Sequence, residues 1–245
     1  MKEGILHMVN NAIDIQNIFS SIAEKYDKLN SILTFNIDKL WRKKAIRICD
    51  LKINDKVLDL CCGTGQMIDY ACRKIGKNTE ITGLDFNQEM INVGYKRLKH
   101  SIGDYKYKLI KGDILQLPFE DNSFNYVTIA FGLRNIKNKN LALSEIYRIL
   151  KPGGKLVCLE LSNPELPILK ELHSIYLTFV LPTIGYIGTK DKMAYSYLKD
   201  SVKNFMPKKK LKLLFDDIGF IRTGYISLTG GIASIHYGVK KCQLS

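Results

Sequence analysis

Three aspartates, a glycine pair and an Arg-Asn couple are the residues of this chain whose types and spacing can do chemistry. Asp59-x-x-x-Gly63-Thr64-Gly65 lies in KVLDLCCGTGQMIDYA, an apolar run that enters a glycine turn and then a helical stretch. Asp85 ends the run ITGLDFN, 20 residues beyond Gly65, where a strand-end carboxylate can take both hydroxyls of a ribose. Asp113, in KGDILQLPF, falls on the same rim, and Arg134 and Asn135 follow in FGLRN. The turn does not match G-x-x-x-x-G-K-[ST], which removes nucleoside triphosphate binding. The dinucleotide pattern G-x-G-x-x-G begins at Gly63 and Gly65, but its third glycine falls on Ile68, which weakens a pyrophosphate reading.

These residues need elements to hold them. Residues 14–50 read as helical, with Ile18, Ile22, Leu29 and Leu33 on one stripe and Leu40, Ala45 and Ile48 continuing it. From Val57 the pattern changes to short apolar runs (KVLDL, EITGLD, KYKLIKGD, FNYVTIAF, KLVCLEL) separated by helical stretches near 65–76, 87–100 and 139–150. Such alternation implies a parallel sheet covered by helices on both faces, and crossover handedness favours a doubly wound arrangement. In LSEIYRILKPGGKLVCLE the helix stops before Pro152, and Pro152-Gly153 suits the centre of a type II turn. GFIRTGYISLT and GGIASIHYGVKK, joined by Thr-Gly-Gly, read as an antiparallel hairpin. The expected architecture is a single α/β domain over 1–245. N-terminal helices occupy 1–50, a cofactor-binding core 51–163, a helical substrate-side insertion 164–218 and the hairpin 219–245.

The ordered set Asp59, Gly63-Thr64-Gly65, Asp85, Asp113 and LKPGG resembles the class I S-adenosylmethionine-dependent methyltransferases, with a Rossmann-like, mostly parallel seven-stranded sheet. The flanks narrow the resemblance. IFSSIAEKYDKLNSILTFNIDKLWRKKAI, FGLRNIKNKNLALSEIYRILKPGG, FVLPTIG, YSYLKDSVKNFM and LTGGIASIHYG resemble the menaquinone/ubiquinone-biosynthesis C-methyltransferases (UbiE/MenG), over roughly 18–240. The CCGTG turn is closer to the menaquinone-type members.

The resemblance implies S-adenosylmethionine as cofactor, with Gly63, Thr64 and Gly65 in the turn, Asp85 and Phe86 at the ribose, and Asp113 and Ile114 beside the adenine. Asp59 either engages the ligand's amino group or caps the turn; for Asp85 the alternative is helix capping near Asn87. Ala130 stands where the family often has a serine, and Gln66 where an aspartate is common, which puts those single contacts in doubt. The implied reaction is methyl transfer to a ring carbon of a reduced demethylmenaquinone, closing menaquinone biosynthesis. A methoxy-benzoquinol of the ubiquinone pathway and an RNA or other small-molecule acceptor are the alternatives. Arg134 would stabilise the developing phenolate and Asn135 orient it, with a structural ion pair as the alternative for Arg134. His236 is a candidate base by its intrinsic pKa, against a packed structural histidine. Tyr195 and Tyr197 either line the quinol pocket or serve as core aromatics. No metal is expected.

Net charge is +13 and hydrophobic residues make up 46%. The charge fits a solvated basic surface, an anionic membrane or nucleic acid. No added RNA-binding module or aromatic single-strand motif accompanies it, so nucleic acid is set aside. Six cysteines without a C-x-x-C pair imply neither zinc nor disulfides and a reduced compartment. The opening MKEGILHMVNNAIDIQ reads as no signal peptide. ELHSIYLTFVLPTIGYIG offers an apolar surface for a polyprenyl tail, and Pro182, Gly185 and Gly188 within it argue against a membrane span. The expectation is a cytoplasmic protein that visits the membrane surface transiently; a homo-oligomer is compatible with the sequence.

Overall fold

The computed structural model describes residues 15–180 and 192–242. After a helical stretch over 15–22 come α1 (Tyr26–Leu33) and α2 (Ile37–Cys49). They are separate helices because Phe35 and Asn36 take φ of 51° and 61°, and a right-handed helix cannot pass through left-handed residues. The buried face of α2 carries Asp38, Trp41, Arg42, Ala45, Ile46 and Cys49. Leu40, expected on that face, is exposed. Trp41 takes the inward position instead, its Nε1 donating to Thr229 Oγ1 at 2.9 Å.

The αβ framework then follows as β1 (Val57–Leu60), α3 (Gln66–Ile75), β2 (Ile81–Asp85), α4 (Gln88–Ile102), β3 (Tyr107–Lys111), β4 (Phe124–Ala130), α5 (Lys139–Ile149) and β5 (Leu150–Leu161). After it come α6 (Pro167–Ile175) with a wider helical turn at Tyr176–Val180, α7 (Lys192–Lys203), α8 (Lys208–Ile218), β6 (Phe220–Leu228) and β7 (Ala233–Lys240). The seven strands lie in the order β3-β2-β1-β4-β5-β7-β6. β1 to β5 are parallel, and β7 runs antiparallel between β5 and β6. The strand order reverses at β1 and β4, so the crevice above their carboxyl ends is the switch point where open α/β sheets take ligands.

Both faces of the sheet are buried. On β1, Val57 belongs to the buried cluster that contains Trp41, Ala45, Ile68 and Leu98, while Leu58 and Leu60 belong to the one that contains Ile146, Leu150 and Phe215, as expected for an interior parallel strand. Gly153 has φ of +79°, the value the third position of a type II turn requires. The pairing register of β4 with β5 shifts between Phe124 and Tyr126 to absorb the turn. α8 lies within the helical span expected over 164–218 and packs on the sheet. Its Leu211 and Phe215 are fully buried in the core with Phe220, so this helix belongs to the layer that covers the sheet. Lys208, at its first turn, is itself buried and pairs with Glu165 at 3.4 Å. No helix among the described residues is long and apolar enough to cross a membrane.

Candidate active site

A cavity of about 960 Å³ opens at the switch point, at the upper end of the roughly 300–1,000 Å³ usual for small-molecule sites. The turn after β1 supplies Cys61, Cys62, Gly63 and Thr64 to its wall, and Gln66 opens α3 beside them. Gly63 has φ of +53°, and a Cβ there would meet Met90 Cε at 3.1 Å. Gly65 does not line the cavity: at φ +78° it caps α3, and a Cβ there would meet Leu98 Cδ1 at 2.7 Å. Its contribution is the turn itself, closed by Gly65 N–H donating to Cys62 O at 2.8 Å. Both cavity-facing thiols, Cys61 and Cys62, are pushed well up by burial and stay protonated at neutral pH.

Asp85 fastens this turn to the next one. One carboxylate oxygen accepts Gly63 N–H at 2.8 Å and the other Asn87 N–H at 2.9 Å. Burial raises its pKa, and these backbone donors work against that rise. Phe86 N–H is a third backbone donor to this carboxylate, which still leaves it acceptor capacity for a ligand hydroxyl. The helix cap considered for Asp85 is made by Asn87, whose Oδ1 accepts Met90 N–H at 3.0 Å. Phe86, Asp113, Ile114 and Ala130 all line the cavity, together with Lys111 and Leu115. Ala130 ends β4 and brings no hydroxyl.

The N-terminal helices form the cover, a role the sequence did not announce. Thr64 Oγ1 donates to Asp27 Oδ1 at 2.6 Å. Arg97 then bridges Asp27, at 3.3 Å, to Asp69, at 3.0 Å. Asn87 Nδ2 donates to Gln16 O and Ser20 Oγ at 2.9 and 3.0 Å. Phe19, Tyr26 and Arg42 thereby enter the wall. A signal for the last was present in the sequence: Asp38 and Arg42 are polar residues at i, i+4 on an otherwise apolar stripe. Tyr26 and Phe19 gave none beyond ordinary aromatic periodicity.

Other expected site residues lie elsewhere. Asp59 is not among the residues lining the cavity; it sits beneath the glycine turn on the α2 side of β1, and its Oδ1 accepts Thr128 Oγ1 at 2.6 Å from the neighbouring strand. Burial lifts its pKa to about 7. Arg134 is also behind the wall: Glu160 accepts from its backbone N–H at 3.0 Å and its Nη1 at 2.7 Å, and Phe131 O and Ser201 Oγ take further bonds. The direct phenolate contact expected of Arg134 is therefore replaced by a buried ion pair, with Glu160 fully buried. Asn135 does line the cavity, and its Oδ1 accepts Tyr197 OH at 2.9 Å. Tyr197 thus supports the wall from outside. Tyr195 lies on α7, but its side chain is outside the described residues.

His236 is a correction. It is 1% exposed in the middle of β7, between the rings of Phe215 and Tyr225, with Nε2 at 3.0 Å from Lys208 O. It does not border the cavity. Burial pulls its pKa down to about 4, as suits a packed neutral histidine rather than a base.

Residues 7–240 match the ubiE/COQ5 methyltransferase family. Demethylmenaquinone methyltransferase of Staphylococcus aureus (strain JH9) is 42% identical over 231 residues, covering 94% of this chain and 95% of that protein; the protein of that name from strain Newman matches equally. Among solved structures, a SAM-dependent methyltransferase from Aquifex aeolicus has a TM-score of 0.60 at 18% identity, covering 81% of this chain and 89% of that one. The cyclase SpnF reaches 0.68 at 14% identity, covering 93% and 96%. Identities this low establish a shared fold, and a cyclase among the neighbours illustrates that the fold alone does not set the reaction. The near-complete match in sequence does more, and it agrees with the Gly63–Asp85 rim and the order of the strands: the chain belongs to the ubiE/COQ5 methyltransferase family.

Proposed function

We propose that the protein transfers the methyl group of S-adenosylmethionine to a ring carbon of a reduced demethylmenaquinone. The observation that carries this reading is the joining, in one cavity, of a ribose-ready rim to an apolar compartment. The rim is Gly63, Asp85, Asp113 and Ile114; the compartment is walled by Phe19, Tyr26, Phe131 and Ile136. The rim fits an adenosyl donor without phosphate: Asp85 keeps acceptors for hydroxyls, and the turn lacks the lysine of a phosphate loop. When bound, the donor supplies an electrophilic methyl carried on a sulfonium.

The chain's own residues then have three tasks. Holding the aromatic ring against the donor falls to the apolar wall, and alignment of this kind is worth up to about 7–11 kcal/mol in favourable cases. Steadying the quinol oxygen as it gives up its proton falls to Tyr26 and Asn135. Burial raises the Tyr26 pKa, which keeps its hydroxyl a donor at neutral pH. Asn135 has its Oδ1 occupied by Tyr197, so the amide N–H pair is what it can present. Arg134 acts from behind as a fixed positive charge, felt by both Tyr26 and Tyr197. The net exchange replaces a ring hydrogen by methyl and releases one proton. Asp59, through its place beneath the glycine turn, is proposed to serve the donor's ammonium through water.

The tail reading rests on exposed apolar residues. Leu166, Ile168, Leu172 and Ile175 on or beside α6 are 62%, 75%, 58% and 48% exposed. Phe35, at the α1–α2 turn, is 72% exposed. Tyr176 OH donates to Leu33 O and ties the two groups together. This surface and the basic charge favour transient contact with an anionic bilayer; the remainder of the apolar segment, over 181–191, is outside the described residues. Flotation with anionic liposomes should carry protein upward, less so for Ile168→Glu/Leu172→Glu. Protein that stays wholly in the dense fraction would remove the membrane part.

The reaction is tested with radiolabelled S-adenosylmethionine and two acceptors, a short-chain demethylmenaquinol and a methoxy-benzoquinol. Label in the organic phase, on a product one CH₂ heavier than the demethylmenaquinol, is expected. Label confined to the aqueous phase, with both acceptors intact, would end the quinol reading.

A further inference from the structure

Arg42 is a buried cation with an unfilled partner list. It is 5% exposed and lines the cavity. Its nearest carboxylate, Asp38, stands 3.6 Å from Nε, beyond a good hydrogen bond. Nε of Arg42 and Oδ2 of Asp38 are both buried without a hydrogen-bond partner among the described residues. Asp38 turns its other oxygen to Thr34 Oγ1 at 2.8 Å. The guanidinium carbon lies 4.8 Å over the ring of Phe131, an arrangement that fixes its plane and leaves its fork of donors undirected by protein. Burying a cation with so little compensation is costly unless a ligand completes it.

The position along the rim says which anion. Asp113 and Ile114 follow β3, Asp85 ends β2, and the glycine turn follows β1. Arg42 is farther along the same line: it stacks on Phe131, which follows β4, and its charge is felt by Asp59 on β1. A donor with its nucleoside over β3 and β2 therefore extends its amino-acid end toward Arg42. That end carries a carboxylate, the planar anion a guanidinium fork matches best.

We infer that Arg42 is the anchor for the α-carboxylate of the methyl donor, with the Phe131 ring beneath its guanidinium and Asp38 as a nearby but unbonded charge. The inference rests on the proposed use of S-adenosylmethionine and adds a residue that selects for its amino-acid moiety. It also gives the α2 cover a task, since the helix that shuts the cavity carries the group that senses an intact donor.

The test compares ligands that differ in this one group. Calorimetric titration of the wild type with S-adenosylhomocysteine, S-adenosylmethionine and decarboxylated S-adenosylmethionine should show weaker binding of the last by about 10- to 100-fold. In Arg42→Gln the first two should lose about that factor, while the decarboxylated ligand changes by less than about threefold. Arg42→Lys, with charge but no fork, should fall between. Because Arg42→Gln leaves Asp38 alone in the interior, the charge-balanced Asp38→Asn/Arg42→Gln variant is run beside it, with its folding checked by circular dichroism. Equal losses for carboxylated and decarboxylated ligands, or no loss for either, would overturn the inference. So would a change confined to the quinol KM. A wild type that binds none of the three would instead sink the donor reading itself.

Discussion

Two arginines meet at Phe131 and differ in what they lack. Arg134 donates to its carbonyl, and Arg42 lies over its ring. Each side chain is almost fully buried. Arg134 has a fully buried glutamate at 2.7 Å that also accepts its backbone N–H, so its charge is matched inside the protein. Arg42 has an aspartate at 3.6 Å and orphaned atoms on both sides, so its match has to come from the cavity. The FGLRN motif made Arg134 the natural choice for contact with substrate, yet the hydrogen-bond balance assigns it to the scaffold and gives the ligand-facing place to an arginine outside that motif. For a buried cation, unfinished bonding is the better guide to a ligand.

The comparison can be broken at several strengths. The largest effect is expected from Glu160→Ala, which strands Arg134 in the interior and should cost about 3–5 kcal/mol in urea denaturation. Arg134→Met/Glu160→Leu should recover much of it, and no recovery would mean the pair is more than mutual compensation. Next comes pH. Asp59, lifted to about 7, is protonated more readily folded than unfolded. Its contribution is full below the ordinary carboxylate range and is lost as pH rises through about 7, on the order of 2–3 kcal/mol between pH 5 and 8. His236, drawn down to about 4, has the opposite sign. Its contribution is full above the usual histidine range and is lost as pH falls, by roughly 2 kcal/mol between pH 7 and 5. The wild-type stability–pH curve should thus be flatter than that of either Asp59→Asn or His236→Gln, and the two variants should slope in opposite directions. Parallel curves for all three would contradict both assignments. The smallest effect is expected for Asp38→Asn. Water in the cavity can solvate Arg42, so the loss should be about 1 kcal/mol, shrinking further when S-adenosylhomocysteine saturates the protein. A loss as large as that of Glu160→Ala would make the two arginines alike.

Where the sequence was legible, the reason is local. Gly63, Gly65 and Gly153 adopt positive φ because the turns that need them span a few residues. Asp85, Asp113 and Ala130 stand at or just past strand ends, which the short apolar runs marked. The break at Phe35–Asn36 was missed because neither residue forces it; the packing of α1 against Tyr176, Leu177 and Val202 sets the angle between the helices. That α8 packs on the sheet was not legible for a similar reason, since an amphipathic helix reads the same whether its apolar face meets a sheet or a substrate.

By itself, then, the sequence determined the order of strands and helices, the glycine turn and the carboxylates along the rim, since pattern and turn chemistry act over a turn or two of chain. Only the tertiary structure decided which buried polar groups face the ligand. His236 went to the core, Arg134 to Glu160 and Arg42 to the cavity, because each outcome depends on partners supplied by other elements: Lys208, 28 residues from His236; Glu160, 26 residues from Arg134; and Phe131 beneath the Arg42 guanidinium. A charge buried in a fold is defined by what surrounds it, and that is set by packing.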